Sequence, residues 1–191
     1  VSIGEYKADL FNGAVIFGSM LIGLWAIFSW LPTWVQTLLT NSDGQDERGV
    51  SMMLLGAGGL TGGFLSGWVA NALGTRRAMI LCFSACFILS FLLFKGNSTF
   101  TTLTQIEIGL LALSFGVSQG LLAVYIPLLF PVNIRATATG FCFNIGRFFT
   151  AAAVFFVGAL VTTLGGYGNS LFAFSLIFIV GLLFIIFSRK Q

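Results

Sequence analysis

Five stretches of 17 or more residues carry no charged side chain: residues 10–42, 49–75, 78–94, 108–134 and 148–188. A helix that crosses a membrane needs about 20 apolar residues, within a range of about 17 to 25. The last run is too long for one crossing, and LGGYGNS at 164–170 divides it into two. The chain is 57% hydrophobic and 8% charged, with a mean hydropathy of +1.00. A soluble fold, in which about 25% of residues are charged, could not cover itself with so little polar surface. The fold class read from these runs is an all-α membrane protein of six transmembrane helices. They fall at roughly 11–38, 50–72, 78–95, 103–130, 137–163 and 170–187. A membrane β-barrel would need strands of alternating polarity, whereas these runs are apolar on every face.

The chain opens at Val1 with no evident signal peptide, and VSIGEYKAD reads as the end of a loop. The expected organisation is loop end at 1–9, six-helix bundle at 10–187 and a short tail at 188–191. Lysine and arginine in the short loops set the orientation. With the N-terminus cytoplasmic, the inside carries Lys7, Arg76, Arg77, Arg135, Arg189 and Lys190, and the outside carries Arg48 and Lys95. Both termini are therefore expected inside, with the acidic loop at 41–49 outside. The positive excess reads as membrane orientation and requires no nucleic-acid partner. Cys82, Cys86 and Cys142 lie within expected spans. Cys82 and Cys86 are one turn apart, but the chain contains no histidine, so they read as packing residues. No metal or other cofactor is expected.

Residues 62–77, GGFLSGWVANALGTRR, combine many small side chains with an abrupt charged end. Gly59, Gly63 and Gly67 recur every four residues, a stripe that Gly56, Gly58, Gly62 and Ser66 widen. In lipid no hydrophobic force drives one helix against another, and small residues permit close approach. The stripe reads as a packing seam, or as a smooth face on which one helix rocks against its neighbour. Gly74 is placed to end the helix in the left-handed conformation. Arg76 and Arg77 are placed to meet headgroups or the carbonyl end of a neighbouring helix.

The pattern Gly63-x-Leu65-Ser66-Gly67-x-x-x-Asn71-x-x-Gly74-x-Arg76-Arg77, between the second and third of six helices, resembles the signature loop of the major facilitator superfamily. WAIFSWLPTWVQ at 25–36 is similar to the outer end of the seventh helix in that family's sugar and organic-acid branches. FPVNIRATATGFCFNIGR at 130–147 resembles the loop and start of its eleventh helix. The family pattern commonly has aspartate where this chain has Asn71. The resemblance implies the C-terminal half of a twelve-helix transporter, a 3+3 inverted repeat, alternating access, and a small-molecule solute. It also implies a missing N-terminal half as partner, a proton as candidate co-substrate, and the plasma membrane, the inner membrane of a bacterium. Gly63, Gly67, Asn71, Gly74, Arg76, Arg77 and Arg135 would then form the cytoplasmic gate and signature loop.

Polar groups inside spans are the candidates for solute contact, because transporter sites lie near the bilayer midplane. Arg147 lies about eleven residues into the fifth helix, roughly 16 Å deep at 1.5 Å per residue. It is read either as a clamp for a carboxylate solute or as a tie between helices. Asn144 is close to one turn away and is expected on the same face. Gln119 is expected near the centre of the fourth helix as a solute contact. Trp25 and Ser29, one turn apart, complete the proposed substrate-binding set. Trp30 and Trp34 read as interface aromatics. Pro32 and Pro127 are candidate kinks. Glu107 is the one acid placed inside a span. It is either a proton carrier or an ionised group in a solvated vestibule, the second reading being preferred.

Two other classes are weaker. An intramembrane serine protease, which six helices and Leu65-Ser66-Gly67 resemble, needs a general base near its serine, and no histidine or midplane lysine supplies one. A channel would need re-entrant loops or rings of charge. A purely structural membrane subunit would show neither binding nor flux.

Overall fold

The computed structural model describes residues 3–40 and 43–188. Arg189 and Lys190, used above for orientation, lie outside them. The described residues form helices and no strand, and six helices are long and apolar enough to cross a membrane. In hydrocarbon every backbone N–H and C=O must be satisfied within the protein, and a helix does this inside one segment. After a 3-10 turn at Ile3–Tyr6 come α1 (Lys7–Thr37), α2 (Gln45–Leu73), α3 (Thr75–Gly96), α4 (Thr102–Leu128) and α5 (Arg135–Ala159). A single further turn, α6 (Val161–Leu164), ends at Gly165, whose φ of 87° is left-handed. The sixth span is Tyr167–Phe187, divided at Leu176 into α7 (Tyr167–Ser175) and α8 (Ile177–Phe187).

Helix ends follow charge and glycine. α2 starts at Gln45, ahead of the charge-free run, because Asp46 and Glu47 fall in its first turn and suit the positive end of the helix dipole. Gly74 closes α2 through a backbone bond to the Ala70 carbonyl at 2.8 Å. Its φ is 83°, but its ψ of 147° is extended, not left-handed helical. That geometry lets the chain turn straight into α3 and is open to glycine alone at low cost. Thr101 and Thr104 form a reciprocal capping box at the start of α4.

The most extensive packing joins α2 to α4 and α1 to α5; α3 lies on α4, and α8 lies on α1. With the spans taken as two triplets, exchanging the triplets converts each of these pairs into its counterpart. α1 and α4 bury more than half of their apolar windows, α2 and α5 less than a quarter. The core therefore follows α1 and α4.

Close approach is set by glycine, and by only part of the expected set. A Cβ on Gly62 would overlap the α4 backbone at Leu113 and Val117, and one on Gly116 would overlap the Gly59 carbonyl. α1 and α5 cross where a Cβ on Gly146 would lie 3.3 Å from the Gly18 Cα. By contrast, a Cβ on Gly56, Gly59, Gly63 or Gly67 meets nothing within 4 Å. The seam of α2 within this bundle is thus centred on Gly58 and Gly62, with the Gly59 backbone against Gly116, while the Cβ directions of Gly59, Gly63 and Gly67 point to open space. Rings seat the sixth span: Phe178 lies on Gly23, and Phe83 lies on Gly181.

These two glycine faces separate experimentally. Gly62→Ala should destabilise the bundle by about 1–3 kcal/mol, the usual cost of overpacking, while Gly63→Ala should leave it within about 0.5 kcal/mol. Thermal unfolding in a single detergent measures both; equal losses would contradict the placement of the seam.

Candidate functional site

α1, α4 and α5 border an open cavity of about 670 Å³. Four of the five residues expected at a solute site line it: Trp25 and Ser29 from α1, Gln119 from α4 and Arg147 from α5. A smaller hollow of about 310 Å³ adjoins it, sharing Trp25 and Gln119 and reaching Gly59 and Gly63 of α2. The open glycine face of α2 therefore borders the site. The fifth residue, Asn144, does not line the cavity; its Nδ2 donates to the Gly140 carbonyl at 2.8 Å. Three residues turn a helix by about 300°, which leaves Asn144 well off the Arg147 direction. Phe143, four residues back, takes that place instead.

Arg147 is exposed and makes no hydrogen bond or ion pair with a described residue. Its guanidinium carbon stands 5.8 Å from the centre of the Phe143 ring, a cation–π contact along one helix turn. It does not tie helices together through carbonyls. Gln119 Nε2 is buried without a hydrogen-bond partner. An amide nitrogen held out of water unpaired costs about 1–3 kcal/mol unless a ligand or water meets it. The rings of Phe17 and Phe143 and the Thr150 side chain also line the cavity, and sequence reasoning missed all three. The four-residue spacing from Phe143 to Arg147 was the available signal.

The other expected contacts divide. Arg76 reaches the far end of the sixth span: Nε donates to the Ile185 carbonyl at 3.3 Å and Nη2 to Ile186 at 2.7 Å. A cation there meets unpaired carbonyls at a helix C-terminus. Arg135 Nε donates to the Phe130 carbonyl at 3.1 Å and braces the turn before α5. Arg77, Gly67 and Asn71 are exposed, and Asn71 bonds to no described residue. No hydrogen bond joins Arg135 to the 67–77 segment among the described residues.

Two expectations are corrected. Trp34 is not an interface aromatic: it is 2% exposed, edge-on to Phe94 at 4.9 Å. Trp30 is half-buried and donates through Nε1 to the Val154 carbonyl at 3.0 Å, linking α1 to α5. Glu107 does not sit in a solvated vestibule. It is 8% exposed, and its Oε2 accepts from Asn97 Nδ2 at 2.7 Å. Asn97 also accepts from Thr104 Oγ1 at 2.8 Å and donates to the Leu93 carbonyl at 3.0 Å. The acid is thus held in the network that closes the α3–α4 loop, beside the capping box.

No family model matches the chain. A probable 4-methylmuconolactone transporter of Cupriavidus pinatubonensis (strain JMP 134 / LMG 1197) is 26% identical over 163 residues, 84% of this chain. The match covers 37% of that relative, so the chain spans little more than a third of its length.

The Asn97–Glu107 contact can be tested as a pair. Asn97→Ala should cost about 1–3 kcal/mol by leaving a buried carboxylate oxygen without its donor. In a Glu107→Leu background the same substitution should cost less than half as much. A double-mutant cycle on thermal unfolding reads the coupling, and additive losses would contradict it.

Proposed function

We propose that this chain is the C-terminal six-span half of a major facilitator superfamily transporter. In this reading it forms one wall of a midplane site for a small organic acid or sugar, with an anion preferred. The solute crosses by alternating access, as this half rocks against an N-terminal half. The observation that carries the reading is the joint placement of Arg147 and Gln119. Arg147 has unused donors, and both side chains line the same cavity. An unpaired cation near the middle of a span costs at least about 2.5 kcal/mol, a cost kept where it meets water or a ligand.

Three further observations support it. The second span of each triplet packs on the first span of the other, as an inverted repeat requires. The relative in Cupriavidus pinatubonensis is named for transport of a small organic solute. The glycine face of α2, open within this chain, is the surface that a second half would cover. Arg76, tying the start of α3 to the end of α8, and Arg135, bracing the turn before α5, would stiffen the cytoplasmic gate. If transport is proton-coupled, Glu107 is poorly placed for it, since it lines no part of the cavity. We assign coupling to an acid elsewhere in the whole protein.

The test is uptake of 4-methylmuconolactone by the natively expressed protein in cells or proteoliposomes. Arg147→Gln should raise apparent KM by about 10-fold or more, the loss of a charge-assisted hydrogen bond worth about 1.5–3 kcal/mol. Arg147→Lys should recover only part of it, because an ammonium cannot reproduce the planar fork. Saturable uptake with unchanged affinity in Arg147→Gln would refute the clamp. Absence of saturable uptake of any organic acid or sugar would refute the transporter.

A further inference from the structure

The α1–α5 crossing has a second face. Opposite the polar cavity, α1, α5 and α8 border a groove of about 560 Å³ whose walls include Phe11, Ile22, Ile145 and Phe149. Its lining is apolar with two exceptions. Ser19 donates its hydroxyl to the Val15 carbonyl at 2.6 Å, leaving no donor for a ligand. The other is Lys7, at one end of the groove, exposed and without a hydrogen bond or ion pair to a described residue. The neighbouring acids Glu5 and Asp9 are not among the lining residues.

The dimensions identify an occupant. α1 is 31 residues long, about 45 Å at 1.5 Å per residue. That is the full depth of a bilayer with its headgroups, about 40–45 Å. Lys7, the first residue of α1, therefore stands at headgroup level. The groove follows α1 from Lys7 to Ile22, about 22 Å, which is the depth of one leaflet with its headgroups. A volume of about 560 Å³ over that length gives a mean cross-section of about 25 Å². A polymethylene chain, its carbons in contact at about 4 Å, needs on the order of 20 Å². A transmembrane helix about 10 Å across needs roughly 80 Å². The groove is wide enough for one acyl chain laid along its open side.

We propose that this groove is a binding site for an anionic phospholipid, with one acyl chain between α1, α5 and α8 and its phosphate on Lys7. The proposal is independent of the transported solute. The chain supplies apolar contact along the leaflet, and the single cation selects headgroup charge. One lysine near a membrane surface contributes about 1 kcal/mol, or about fivefold, toward an anionic lipid.

The test is native mass spectrometry of the natively expressed protein in detergent. It is titrated with phosphatidylglycerol or phosphatidylcholine of matched chains. The wild type should retain phosphatidylglycerol about fivefold more tightly. Lys7→Gln, a change at an exposed position that leaves the fold intact, should abolish that preference while phosphatidylcholine binding persists. Ala14→Phe, in the groove wall, should weaken both lipids together. An unchanged preference in Lys7→Gln overturns the site even if Ala14→Phe fails to fold. So does a wild-type protein that holds neither lipid and instead dimerises through this face.

Discussion

Backbone approach at glycine is the constraint on which this bundle depends. Lipid tails are as apolar as leucine, so burial of hydrocarbon gives little preference for helix over lipid. What remains is dispersion, which decays steeply with separation. Gly62 against Gly116 and Gly18 against Gly146 bring two helix pairs to backbone contact, where those short-range terms are largest. The Phe178 and Phe83 rings fit the spaces that Gly23 and Gly181 leave and fix the sixth span by the same means. Polar ties are fewer and lie near the ends: Arg76 on the last carbonyls of α8, and Asn97 between α3 and Glu107.

That constraint also shapes the site. Because Gly18 and Gly146 let α1 and α5 cross closely, the residues on either side of the crossing open onto different surroundings. On one side Trp25, Ser29 and Arg147 border the cavity; on the other, Phe11, Ile22 and Phe149 border the apolar groove. One helix pair thereby serves two solvents, and Trp30, bonded to Val154, holds its far end.

Much of this was legible in the sequence because the bilayer is an exacting solvent. Long charge-free runs can only be helices, and intramembrane polar groups are few enough to name singly. Arg147, Gln119, Trp25 and Ser29 were singled out that way and line one cavity. What the sequence hid was azimuth. Whether Gly62 or Gly63 faces α4, and whether Asn144 or Phe143 accompanies Arg147, depends on rotations of about 100° per residue. Apolarity on all faces leaves those rotations unmarked. Trp34 was misplaced for a related reason: α1 ends near a surface, but α3 and α7 cover it there. Glu107 was misplaced because its donor, Asn97, lies in a loop that carries no periodic signal.

For the transporter proposed above, the hydrogen-bonding groups of the cavity would favour one solute class over another. Arg147 presents a guanidinium with five N–H donors and no acceptor. Against these, the cavity lining contains no aspartate or glutamate, and the Thr150 hydroxyl already donates to Gly146 at 2.7 Å. The charged group of the site is a donor, and its acceptors are the neutral oxygens of side chains such as Ser29 and Gln119. A sugar brings hydroxyls that donate as well as accept, and the cavity lining offers their protons only neutral acceptors and no carboxylate. A carboxylate accepts only, and its two oxygens match the guanidinium fork. The aromatic walls supplied by Phe17, Trp25 and Phe143 suit a compact apolar body behind that charge. Within the transporter proposed above, the Arg147 guanidinium is the feature of this chain that would favour an organic acid.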